Sequence, residues 1–208
     1  MRRLLLTLPA LALLAGCFPP KPQRVREYQR LDEALREPAS VQRLLLATQD
    51  LQTVSADLGQ LTGLRRLSIR GNRIADLPPD LARLALLEWV DLGENRLATL
   101  PPALTALPAL RYLYLSDNQV TELPAAVGAL TNLVYLNLDR NRLTALPPAI
   151  GRLAALRWLR LNGNPLTALP ADLSGLRSLK RLWLEDTQLP NPEKQRIVLA
   201  LPQTEVIF

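Results

Sequence analysis

A leucine pattern that returns every 23 residues constrains this chain more than any other feature of its sequence. Registers begin at Val41, Leu64, Leu87, Leu110, Leu133, Leu156 and Leu179. The run Leu64-Arg65-Arg66-Leu67-Ser68-Ile69-Arg70-Gly71-Asn72-Arg73-Ile74 sets out the spacing L-x-x-L-x-L-x-x-N-x-L, and residues 133–143 repeat it. A Leu-Pro pair recurs at positions 77, 100, 123, 146 and 169, each time followed by apolar residues three or four apart. Leucine supplies 51 of 208 residues, far more than one short unit could hide. In the register from Leu133, the residues Leu133, Leu136 and Leu138 share the inward face of a short strand, while Leu143, Leu146, Ile150 and Leu153 fill the rest of the coil. Only a neighbouring coil can cover them. Stacking buries each side chain at a gain of roughly 1.5–3 kcal/mol, so stability is collective along the stack.

These motifs resemble the leucine-rich repeat superfamily, in the 23-residue variety with L-x-x-L-P-x-x-L-x-x-L seen in Ras-suppressor-like proteins and many bacterial surface proteins. The resemblance covers residues 41–190 and implies an α/β solenoid: a right-handed curved coil, a parallel β-sheet on the concave face, and an irregular or short helical convex side. Seven strands spaced about 4.8 Å apart would make a sheet roughly 29 Å across. Asn72, Asn95, Asn118, Asn141 and Asn164 stand where the chain leaves each strand. An amide offers two donors and an acceptor, so these residues are expected to form a ladder that satisfies the buried turns. Gln49 and Thr187 replace asparagine in the first and last registers, as atypical terminal repeats do.

Caps should close both ends. Val25, Tyr28, Leu31 and Leu35 recur at helical spacing between Gln23 and Glu37, which predicts a capping helix within residues 23–40 that breaks before Pro38. At the other end, residues 191–208 read as a cap in which Pro192 opens a short helix and Glu205-Val206-Ile207-Phe208 adds an edge strand.

The face opposite the leucines carries the information about function. The third position of successive registers reads Arg43, Arg66, Trp89, Tyr112, Tyr135, Trp158, Arg181, and the fifth reads Leu45, Ser68, Asp91, Tyr114, Asn137, Arg160, Trp183. Six of the nine aromatic residues therefore project from the open sheet, including every tryptophan. Aromatic and arginine side chains clustered on a concave surface have the composition of an interaction hot spot. The expected ligand-binding residues are Trp89, Asp91, Tyr112, Tyr114, Tyr135, Asn137, Trp158, Arg160 and Trp183. The competing explanation is a cross-strand aromatic ladder that only stabilises the sheet.

The first residues read as a targeting segment. Arg2 and Arg3 precede a twelve-residue apolar run, Leu4 to Ala15, which is too short to span a bilayer. The run ends Leu14-Ala15-Gly16-Cys17, which is similar to the lipobox of bacterial lipoproteins. That resemblance implies a signal peptide over residues 1–16, lipidation at Cys17, and a Pro-containing tether over 17–22. Several acyl chains anchor far better than one, since each buried methylene adds about 0.8 kcal/mol. Phe18 in place of Asp after the cysteine implies an outer-membrane destination where the host has one.

Composition narrows the chemistry. With no histidine and one cysteine, His-based catalysis, an activated Cys/His pair, a Cys/His zinc site and an internal disulfide are all excluded. Losing Arg2 and Arg3 takes the cation count from 25 to 23 against 19 acids, so the mature chain is near +4. Its arginines alternate with acids, which argues against nucleic acid as a partner. Acidic residues near the open face, such as Glu94 and Asp117 in adjacent registers, could hold calcium or hydrolyse a glycoside, but solvated turn charges are the commoner meaning. The sequence therefore points to a monomeric, non-enzymatic, lipid-anchored envelope protein without cofactor or metal. It would bind a protein or peptide partner on its concave face, with carbohydrate or cell-wall binding, or a purely structural envelope role, as alternatives.

Overall fold

Three local features make each coil: a short strand, a left-handed turn just beyond it, and a proline-directed return path. The computed structural model describes residues 26–208. The expected signal peptide, Cys17, the tether and the start of the expected cap, through Val25, lie outside the described residues. Nine strands form one parallel sheet in chain order: β1 Glu27–Tyr28, β2 Arg43–Leu45, β3 Arg66–Ser68, β4 Trp89–Asp91, β5 Tyr112–Tyr114, β6 Tyr135–Asn137, β7 Trp158–Arg160, β8 Arg181–Trp183 and β9 Glu205–Ile207. The middle residue of each strand from β2 to β8 points into the core, where Leu44, Leu67, Val90, Leu113, Leu136, Leu159 and Leu182 are at most 2% exposed. Because side chains alternate along a strand, the flanking residues face the other way, onto the open surface.

The eighth residue of every register has positive φ: Thr48, Gly71, Glu94, Asp117, Arg140, Gly163 and Asp186 all lie between 53° and 68°. Turning there carries the chain inward and strands backbone groups in the core. The asparagine that follows rescues them. Asn118 donates to the carbonyls of Leu92, Leu115 and Ser116, while its Oδ1 accepts from the Leu97 N–H of the preceding coil. Asn72, Asn95, Asn141 and Asn164 repeat this bridge, each tying its own turn to the coil before it. At the first register Gln49 turns instead to the cap and donates to the Gln29 carbonyl, whereas Thr187 bonds only within its own coil, to Leu184.

On the convex side the Leu-Pro pairs act through fixed φ. Pro78, Pro101, Pro124 and Pro147 are extended and stand directly before a helical turn. These turns are 3-10 at Pro79–Arg83, Ala125–Ala129 and Pro148–Arg152, with one α-helical turn, α2, at Pro102–Thr105, numbered after α1 below. The last pair, Leu169-Pro170, leads into no helix. There the coils approach so closely that a Cβ on Gly175 would sit 2.0 Å from the Gly151 carbonyl oxygen, which only glycine permits.

The N-terminal end differs from expectation. At the N-terminal end the single helix read from residues 23–40 is corrected. Glu27–Tyr28 is a strand paired with β2, only Leu31–Ala34 (α1) is helical, and Pro38–Ser40 is a 3-10 turn. The apolar spacing was compatible with both arrangements: Tyr28 packs on the core as part of the sheet and Ala34 fills it from the helix. The open edge of β2 offers backbone partners that an isolated helix would leave unpaired. At the C-terminal end α3, Asn191–Ala200, and β9 occupy the expected places.

Candidate functional site

Parallel pairing in strict register aligns the open-face residues into two rows. Arg43, Arg66, Trp89, Tyr112, Tyr135, Trp158 and Arg181 are successive partners in one, and Leu45, Ser68, Asp91, Tyr114, Asn137, Arg160 and Trp183 in the other. The backbone thus gives the alignment read from the repeat. The side chains do not form one continuous line, however. Trp89 contacts Tyr114 with ring centroids 5.4 Å apart, and Tyr114 contacts Tyr135 at 4.8 Å, so three rings zigzag between the rows. Centroid spacings and tilts of this kind stabilise the pairs beyond their buried area. Burial also pushes the Tyr135 hydroxyl above its ordinary pKa.

Tyr112 and Trp158 belong to a different feature. They flank a pocket of about 300 Å³ completed by Arg111, Val134, Ala155, Arg157 and Ser178. All five of these additional residues lie outside the rows, and the period alone gave no sign that they converge. Three of them had a signal as the residue preceding an aromatic: Arg111 before β5, Val134 before β6 and Arg157 before β7.

The polar members of the face are largely engaged. Arg160 donates through Nε to Asp139, whose side chain is 3% exposed, and its guanidinium lies over the Trp183 ring, 5.2 Å from the centroid. Asn137 Oδ1 accepts from the Asp139 N–H, and Asp91 Oδ1 accepts from the Gly93 N–H. Asp91 is 9% exposed, and burial raises its pKa against the opposing effect of that hydrogen bond and of Arg70. Asp91 and Asn137 therefore shape the ends of their strands, while Arg160 is held in place from below.

Glu94 and Asp117 are not left to share a cation. Arg70 donates to Glu94 and Arg140 to Asp117, and the latter pair holds the Asp117 carboxyl below the usual carboxylate range. Among the described residues there is no cluster of three acidic or cysteine side chains able to hold a metal, and no helix is long and apolar enough to cross a membrane.

Sheet, coil and asparagine ladder define a leucine-rich repeat solenoid with an aromatic concave face. Comparison with known sequences agrees: residues 62–120 match the leucine rich repeat and residues 103–203 the leucine-rich repeat region. No curated protein is similar enough in sequence to count as a relative. Among solved structures, a leucine-rich repeat protein of Leptospira interrogans is 30% identical, with a TM-score of 0.51 over 82% of this chain and 55% of its own. An internalin of Listeria monocytogenes is 23% identical with a TM-score of 0.74, covering 86% of this chain and 51% of its own, and shows the shared fold. A plant peptide hormone receptor, solved in complex with the peptide RGF2, is 27% identical with a TM-score of 0.65 over 78% of this chain and 27% of its own. The chain spans about half the length of the first two and about a quarter of the third.

Proposed function

We propose that the protein is a non-catalytic binding scaffold that holds a protein or an extended peptide on its concave face, and that Cys17 anchors it by lipid to a bacterial envelope membrane. The observation that carries the binding reading is the Trp89–Tyr114–Tyr135 zigzag beside the Tyr112 and Trp158 pocket, all half-buried on a sheet whose other face is already filled with leucine. The core does not need these rings. Rigid aromatic side chains with two rotatable bonds offer a partner large contact area at small entropic cost. The complex of the plant receptor supports the use of such a scaffold for peptides. Stacked sugars suit the zigzag less well, because its rings lie against one another and cover part of their own faces.

Photo-crosslinking in intact envelopes tests the binding reading. A crosslinker at Tyr114 should yield a discrete adduct that one at the convex Arg152 does not, and the adduct should vanish in a Tyr135→Ala/Trp158→Ala variant of unchanged stability. Equal capture by that variant refutes the site. The anchor has a separate check: Cys17→Ser should abolish labelling with a palmitate analogue.

A further inference from the structure

The pocket between Tyr112 and Trp158 brings two cations onto one apolar floor. Arg111 and Arg157 stand on its two sides, two registers apart, which is roughly 10 Å between backbones. Both are exposed. Among the described residues no carboxylate comes within ion-pairing distance of Arg111, Arg157 or the next cation along this edge, Lys180, whereas Arg65, Arg70, Arg140, Arg160 and Arg181 all have acidic partners. Val134, between the two arginines, is 9% exposed and carries no charge.

The floor is rigid. The Arg111 carbonyl accepts from the N–H groups of both Val134 and Tyr135, and the Val134 carbonyl accepts from those of Arg157 and Trp158. Two guanidinium groups on flexible stems thus flank a fixed apolar floor walled by an indole and a phenol.

We propose that this pocket is the recognition point for an acidic side chain, Asp or Glu, of the bound segment, with a large apolar neighbour of that residue seated between Tyr112 and Trp158. The inference rests on the reading of the concave face as a protein- or peptide-binding surface and adds the partner's chemistry. Two guanidinium groups converging on one carboxylate form charge-assisted, directional hydrogen bonds. The aromatic walls and the apolar floor exclude water from that contact and strengthen it.

The test is selection from a phage-displayed library of random decapeptides against the full chain in detergent, with polygalacturonate as the anionic polysaccharide probe. Selected peptides should carry Asp or Glu beside a large apolar residue, and their affinity should fall as salt rises. Arg111→Gln/Arg157→Gln should weaken them about tenfold or more, as expected when a charged hydrogen-bonded contact is lost. Arg96→Gln/Arg142→Gln, at two exposed arginines beyond the other ends of the strands, should leave affinity unchanged. A matched denaturation midpoint for all variants shows that they fold. Enrichment of acid-free peptides, or equal binding by the Arg111/Arg157 variant, overturns the pocket. If those peptides still require Trp89, Tyr114 and Tyr135, the concave binding face survives without it. Capture of polygalacturonate with the same arginine dependence, and of no peptide, overturns both readings.

Discussion

Arg160 and Asp139 join adjacent coils through a 2.6 Å contact between Nε and Oδ2, with the acid buried beneath the sheet edge and the base lying over Trp183. The other carboxylate oxygen accepts from the Asn162 N–H at 2.8 Å, so Asp139 is satisfied on both sides. Removing the acid would leave a one-third exposed guanidinium without its partner and an amide without its acceptor. Asp139→Ala should destabilise the protein by about 2–3 kcal/mol, below the full cost of breaking a buried pair because Arg160 still reaches water. Arg160→Ala should cost more than Asp139→Ala, because it leaves a carboxylate only 3% exposed without its cation and uncovers Trp183. A double-mutant cycle by urea denaturation measures the coupling, and additive effects would show that the contact carries no energy of its own.

Asn118 sits at the middle of the ladder, and its loss is expected to break the stack rather than merely weaken it. Alanine there orphans the buried Leu97 N–H and removes one of the two amide donors from each of the Leu92 and Leu115 carbonyls, which keep Asn95 and Asn141. A cost of roughly 1–3 kcal/mol follows from leaving that amide unpaired. In a solenoid each coil contacts only its neighbours, so a weak central interface lets the two halves unfold separately. Asn118→Ala should therefore show a lowered denaturant slope or two transitions. Thr187→Ala, at a position where only one bond within the coil is made, should retain a single transition.

The repeat made most of this architecture readable because a strict period leaves little freedom. It fixes which residues are inward, which strands are neighbours, and hence that Trp89, Tyr112, Tyr135 and Trp158 share one backbone row. It could not say how those rings divide. Tyr135 turns to Tyr114 while Tyr112 and Trp158 turn to the pocket, a choice made by packing across strands that spacing does not encode. The left-handed eighth position was half visible, in Gly71 and Gly163, but hidden where Glu94 and Arg140 adopt the same φ. At the N-terminal end Tyr28 and Leu31 suit a helix and a strand followed by a helix equally well, and only the unpaired edge of β2 decides between them.

Asp91 should make stability depend on pH in the direction opposite to most carboxylates. Burial raises its pKa in the folded protein, so the native state keeps a proton that the unfolded chain has already released. Stability is thus fully present below the unfolded value and declines as pH rises through the folded one. Asp91→Asn keeps an oxygen for the Gly93 N–H and removes the charge, since the Arg70 contact to that carboxylate is long, at 3.9 Å. The variant should be more stable than the parent at neutral pH, with the advantage vanishing in acid. Denaturant midpoints measured across the acidic and neutral range decide it. A less stable variant at neutral pH would mean that Arg70 outweighs burial.

Glu193 has the ordinary sign and a local readout. Arg196 holds its carboxyl below the usual range, and the same acid accepts from the Leu169 N–H, while Arg196 donates to the carbonyls of Leu169, Pro170 and Ala171. The pair occupies the place where earlier coils put a helical turn, fastening α3 across the last Leu-Pro. A depressed carboxyl stabilises the fold above its unfolded pKa, and the contribution is lost as pH falls through the folded one. Acidification should therefore release α3 before the repeats unfold, read as faster amide exchange at Leu169 and Ile197 with the central coils still protected. Glu193→Gln should exchange quickly at those sites even at neutral pH and lose the acid dependence. Unchanged protection at Leu169 in that variant would mean that Ile197 and Leu201, buried beneath α3, hold the cap without the ion pair.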